Sequence, residues 1–318
     1  MAAQAILITV DDRARLISAA LAATSWPERE QATQRFRAHM HARATARQMA
    51  PWRDHPAVRT LDALLSQGVP LRDIYTLVFA LADSDPSDGT LPDWLPPGWP
   101  DALRDLQEAA ALHAWWDEHR ATWTLACEQA AQALDGIHLA AFFEPFFGAP
   151  IPPLALMPNI CYPCLMPLGI SASHAAIALV PPRIAWGDGE PWPFHEDRAY
   201  LLRAAVTAFG QVLLESHLVG HRSHEAESDG DGQADPLADM FLSGAVALAL
   251  EQLLGAAEAH AYLLVEARTN GARVLPHVVE ALKGYLAAHA AGQYLHFAPY
   301  LPVFAARVRA GQERFSHT

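Results

Sequence analysis

Apolar residues recur at helical spacing along most of this chain, and the extended stretches are few and short. Residues 6–10 are a β-branched run ending at Asp11-Asp12, which caps a helix through about Ala23. Ser25-Trp26-Pro27-Glu28 predicts a second helix, with a capping serine and an early proline, reaching about Met49 before Pro51 stops it. His55-Pro56 opens a third, in which Val58, Leu61, Leu64 and Leu65 repeat until Gly68, and residues 70–81 repeat the device. Residues 84–100 are rich in Pro, Asp and Gly and predict a loop. Beyond it, 103–117 and 118–134 carry apolar residues with Trp115, Trp116 and Trp123 at helical spacing, and 137–147 is a shorter helix.

The texture changes at Gly148. Prolines at 150, 152, 153, 158, 163 and 167 exclude a helix, whereas 154–161 and 173–180 read as extended, joined through Pro167-Leu168-Gly169-Ile170. A small, mostly antiparallel β element is expected there. Helices follow over 197–218, 236–268 with a break near Gly255, 275–289 and 302–312, and an acidic, glycine-rich stretch occupies 223–235. The fold class is therefore α+β and predominantly α-helical, with a helical part over 1–147 and a second part over 148–318, or one continuous domain.

Composition narrows the function classes. With 318 residues, 52% of them hydrophobic, the chain buries a large core, and a net charge of −13 argues against a nucleic-acid partner. The first ten residues lack the basic flank and length of a secretory signal, and the apolar stretch 241–254 is too short for a membrane span. A soluble, cytoplasmic protein with no membrane partner is expected. Three cysteines build no disulfide framework.

Candidate chemistry concentrates after residue 200. Thr207, Gln211 and Glu215 occur at i, i+4 and i+8, a polar row on a helix otherwise made of Ala, Val, Leu and Phe. Gly210 sits inside that helix at a cost of about 1 kcal/mol relative to alanine, which predicts a closely packed neighbour. His217, His221 and His224 fall at i, i+4 and i+7 and would present three imidazoles to one zinc ion if the helix continued past Gly220. Cys161-Tyr162-Pro163-Cys164 has a redox spacing, but Pro167 denies it the helix such a site needs. His195-Glu196 lacks a second histidine four residues on, and Asp229, Asp231 and Asp235 lack the glutamate of a calcium loop. There is no phosphate-cradling loop, nucleophile elbow or dinucleotide fingerprint.

Taken in order, several segments carry a likeness: His55-Pro56, the tryptophan-rich helices, Met157-Pro158-Asn159, Pro181-Pro182 before Trp186-Gly187-Asp188, and Phe209-Gly210. Asp239-Met240-Phe241-Leu242, Gly292-Gln293-Tyr294 and Tyr300 to Phe304 complete it. This order resembles an uncharacterised bacterial family related to the gluzincin, or peptidase-MA-like, metallopeptidases, and the resemblance implies a zincin-like fold. The family's motif reads H-E-F-G-H. Here Phe209-Gly210 match, Thr207 and Gln211 stand where the two histidine ligands belong, Ala208 where the base belongs, and Asp239 where the acidic third ligand belongs.

A hydroxyl and a carboxamide are weak zinc donors, and Ala208 accepts no proton. The resemblance thus implies an inactive metallopeptidase-like protein, a pseudo-enzyme that keeps a cleft for a peptide or other ligand, with no cofactor. Two alternatives stand beside it. One is a metal-dependent hydrolase using His217, His221 and His224, with Asp239 or Glu215 as a further candidate, and the other is a structural or oligomeric protein without a small-molecule site.

Overall fold

Asp11 starts the first helix as its position in the sequence predicts, its side chain accepting the Arg13 backbone N–H at 2.8 Å. The computed structural model describes residues 5–33, 38–83, 92–148, 150–161, 166–183, 189–222 and 236–316. Strand β1 (Leu7–Ile8) precedes helices α1 (Asp12–Ala23), α2 (Trp26–Thr33), α3 (Met40–Met49), α4 (Pro56–Ser66) and α5 (Leu71–Asp83). Next come α6 (Trp99–Ala109), α7 (Leu112–Glu118), α8 (Arg120–Ala133) and α9 (Leu139–Phe147). Strands β2 (Leu154–Pro158), β3 (Leu168–Ala172) and β4 (Ala175–Val180) follow, then α10 (Arg198–Arg222), α11 (Pro236–Leu253), α12 (Ala256–Thr269), α13 (Leu275–Ala290) and α14 (Leu301–Ser316). The protein is α+β and mostly helical.

Several boundaries differ from the sequence reading, each for a local reason. The single helix expected over 25–49 is two, because α3 has its own start, where His39 Nδ1 accepts the Ala42 N–H at 3.4 Å. The helix expected over 103–117 ends at Ala109. Ala111 adopts a left-handed φ of 48°, a conformation unfavourable for an L-residue, and the turn buries Leu112 and Trp116. Helix α10 does not stop before Gly220 but runs through it to Arg222. Gly255, at φ 113°, makes the break between α11 and α12 that its sequence position predicts.

The stretch read as a connection after Pro167 is strand β3, which pairs antiparallel with β4 from Leu168↔Leu179 to Ala172↔Ala175. Pro167 precedes the ladder and removes no hydrogen bond from it. The sheet, in the order β1-β2-β4-β3, is mixed rather than mostly antiparallel, since β1 pairs parallel with β2. A parallel neighbour needs a long crossover, and here the helices from α1 to α9 supply it.

The chain divides into two compact units built from non-consecutive stretches. One, the sheet unit, comprises 7–135 and 155–201; the other, the aromatic unit, comprises 1–6, 136–154 and 202–318. In the sheet unit β2 is buried throughout, α5 packs on β3, α8 on β1, and α1 on α3, α4 and α5. Its core holds a polar chain. Ser18 donates to the Ala14 carbonyl at 2.7 Å, so its oxygen accepts from Tyr75 Oη at 2.7 Å and from Asn159 Nδ2 at 2.9 Å. The Cys161 thiol in turn donates to Asn159 Oδ1 at 3.2 Å.

In the aromatic unit, α11 packs on α12 and α13, and α13 on α14. Phe146 stacks on Tyr285 with ring centroids 5.6 Å apart and meets Phe241 edge-on at 5.5 Å, while Phe241 and Phe297 lie 4.8 Å apart. The hydroxyls of Tyr285 and Tyr300 donate to the Pro145 and Ala281 carbonyls. By length and composition α11 is apolar enough to cross a membrane, longer than the 241–254 stretch suggested. Its Phe241, Leu242 and residues 244–250 are buried within this unit, the requirement that explains its composition.

Candidate functional site

Helix α10 begins where Asp197 Oδ1 accepts the Tyr200 N–H at 2.8 Å, and the Tyr200 hydroxyl anchors that first turn to the Pro181 carbonyl at 2.8 Å. Further along, Ala208 and Phe209 are fully buried. An alanine methyl at Gly210 would lie 2.6 Å from Leu242 Cδ2, so α11 approaches α10 as closely as the glycine allows. That is the packed neighbour the glycine predicts. Thr207 and Gln211 are half-buried, and among the described residues neither side chain has a hydrogen-bond partner. Glu215 is exposed.

Asp239 lies on the first turn of α11, exposed, in a groove shared with Ser243, Asn270 and Arg273. Thr207 and Gln211 do not line that groove. His217 and His221 fall on the last turns of α10, one turn apart; their side chains, and His224 altogether, lie outside the described residues. Cys164 and the aspartates at 229, 231 and 235 also lie outside them. Among the described residues no group of three or more His, Cys, Asp or Glu is arranged to hold a metal ion.

One turn beyond Gln211, Leu214 lines a pocket of about 50 Å³ together with Phe146, Phe147, Leu237, Phe241, Phe297 and Leu301. A single water needs roughly 10–15 Å³ on this measure, so the pocket has room for several but offers them almost nothing to bond. Among the described residues His296 is the only one with a polar side chain at its wall. The arrangement can receive an apolar group, with the His296 imidazole beside it.

Comparison with protein-family models, with curated proteins and with solved structures finds no match.

The sheet unit carries a second concavity that sequence reasoning missed. Its groove of about 260 Å³ is lined by the polar side chains of His41, Thr122, Gln129 and Glu190 and by the apolar ones of Leu125, Ile160, Trp192 and Phe194. A chamber of about 20 Å³ adjoins it, sharing His41, Thr122 and Ile160 and reaching Thr45, His119 and Cys161. Burial lowers the His41 pKa, with Glu190 opposing and His119 reinforcing the shift. Burial, helped by His41, pushes the neighbouring His39 down to about 3. Because His39 Nδ1 accepts the Ala42 N–H, its proton sits on Nε2, a buried donor with no partner among the described residues.

Cys161 is fully enclosed, and burial pushes its thiol up to about 12 against the smaller opposing effects of Ser18 and Arg15. It is a protonated hydrogen-bond donor to Asn159, not a nucleophile. The H-x-H spacing of His39 and His41 and the Glu190-Pro191-Trp192 sequence were the available signals. Neither matches a motif with an assigned chemistry.

Proposed function

We propose that the chain is a peptidase-like binding protein without hydrolytic activity, whose aromatic unit receives an apolar group of a peptide or other ligand. One observation carries this reading: the cavity one turn beyond the frame Thr207 to Gln211 is walled largely by phenylalanines and leucines, with His296 its one polar side chain among the described residues. Supporting it, the frame keeps the buried Phe209-Gly210 contact with α11, whereas its ligand and base positions are a hydroxyl, a methyl and a carboxamide. The zincin-like fold remains part of the proposal, an analogy that bears on function only through the site.

The test pairs ligand titration with metal analysis. Protein purified without a polyhistidine tag is expected to hold no stoichiometric zinc and to leave an acetylated phenylalanine-containing tripeptide amide intact. Calorimetry is expected to register binding of that peptide, abolished by Leu214→Trp, which fills the pocket. About one zinc per chain, lost in His217→Ala and His221→Ala, overturns the reading in favour of a metal-dependent hydrolase. Absence of peptide binding removes the peptide-binding proposal.

A further inference from the structure

The groove of the sheet unit is a separate site, and its chemistry is amphiphilic where the other pocket is apolar. Its apolar lining includes two large side chains left open, Leu125 at 52% and Trp192 at 39% exposure. Its polar lining is complementary in a specific way. Glu190 has no Lys or Arg partner among the described residues. Gln129 Oε1 accepts the Phe194 N–H at 3.3 Å, which orients the carboxamide and leaves its N–H groups without a partner among the described residues. The His41 ring likewise has no hydrogen bond among them.

Charge decides the class of ligand. Arg183 stands 5.8 Å from the Trp192 ring, but its guanidinium is ion-paired with Asp197. Among the described residues no Lys or Arg lines the groove, so an anion would meet Glu190 without a compensating cation from them. An ammonium group meets instead a carboxylate and an imidazole, both able to accept its protons, while a flat body lies along Trp192 and Leu125. A volume of about 260 Å³ with the small chamber beside it suits a small molecule rather than a length of polypeptide.

We propose that this groove binds an arylalkylamine, a protonated amine carried on an aromatic ring, with Glu190 holding the ammonium group and Trp192 the ring. The N–H groups of Gln129 then serve a hydroxyl on that ring. The site owes nothing to the reading of α10, and each stands if the other fails.

Tyramine is the probe. Calorimetric titration of the full chain is expected to show saturable binding, and 3-(4-hydroxyphenyl)propionate, which carries a carboxylate instead of the amine, is expected not to bind. Glu190→Gln should weaken tyramine about tenfold, the loss of one charge-assisted contact. Trp192→Ala should weaken it by a similar factor, and both exposed positions leave the circular-dichroism spectrum unchanged. The proposal is overturned if tyramine does not bind folded protein at millimolar concentration, if the carboxylate analogue binds as tightly, or if Glu190→Gln leaves affinity unaltered.

Discussion

The two units fill their cores by opposite means. The aromatic unit stacks rings and sends its tyrosine hydroxyls to backbone carbonyls, so the space it leaves over is apolar. The sheet unit runs a chain of hydrogen bonds from Tyr75 through Ser18 and Asn159 to Cys161, and the concavities nearby are lined by histidines, threonines and a carboxylate. Ring packing tolerates a void because dispersion is non-directional, whereas a buried polar chain demands that every donor be placed. The character of each cavity follows from how its unit is packed.

The sharpest way to break this contrast is to cut one core at a time. Phe241→Ala removes a ring that touches Phe146, Phe297 and Phe304 and should cost about 3–5 kcal/mol in urea unfolding followed by tyrosine and tryptophan fluorescence. A loss below about 1 kcal/mol would mean that the rings are not packed as a unit. Asn159→Ala in the sheet unit should cost roughly 2–3 kcal/mol, since it strands the Cys161 S–H and removes a donor from Ser18. An unchanged urea midpoint would dissolve the polar half of the comparison.

The smallest expected effect is a dependence on pH. His39 titrates near 6.5 in the unfolded chain and is pushed by burial to about 3 in the fold, so between those values the unfolded state binds the extra proton. Its contribution to stability is complete above about pH 6.5 and is lost as pH falls toward 3. His39→Asn keeps an acceptor for the Ala42 N–H and removes the titration. Over pH 4 to 6 the variant's unfolding free energy should slope less steeply, by up to ~1.4 kcal/mol per pH unit. Identical slopes in the two proteins would place a proton-accepting partner on the His39 ring.

Capping and breaking residues made much of this fold legible. Asp11, His55-Pro56 and Gly255 mark helix ends through local hydrogen bonds and backbone preferences, and those ends stand where the residues say. Tertiary packing hid the rest. Nothing local marks Ala111 as left-handed; the conformation serves the burial of Leu112 and Trp116. The two residues of β1 acquire a partner only after some 145 residues of intervening chain bring Ala155 beside Leu7. At the site level Gly210 was readable because a helical glycine has few purposes, whereas Asn159, inside Met157-Pro158-Asn159, looks like a turn residue. It lies instead at 0% exposure in the middle of a hydrogen-bonded core.

Cys161 has a further use that follows from its enclosure. A thiol held protonated and out of contact with solvent reacts with an alkylating reagent only through excursions in which the surrounding structure opens. With Cys164 replaced by serine, its modification rate becomes a built-in clock for the breathing of the sheet unit. The half-buried Cys127, on α8 of the same unit, is the reference against which that clock is read.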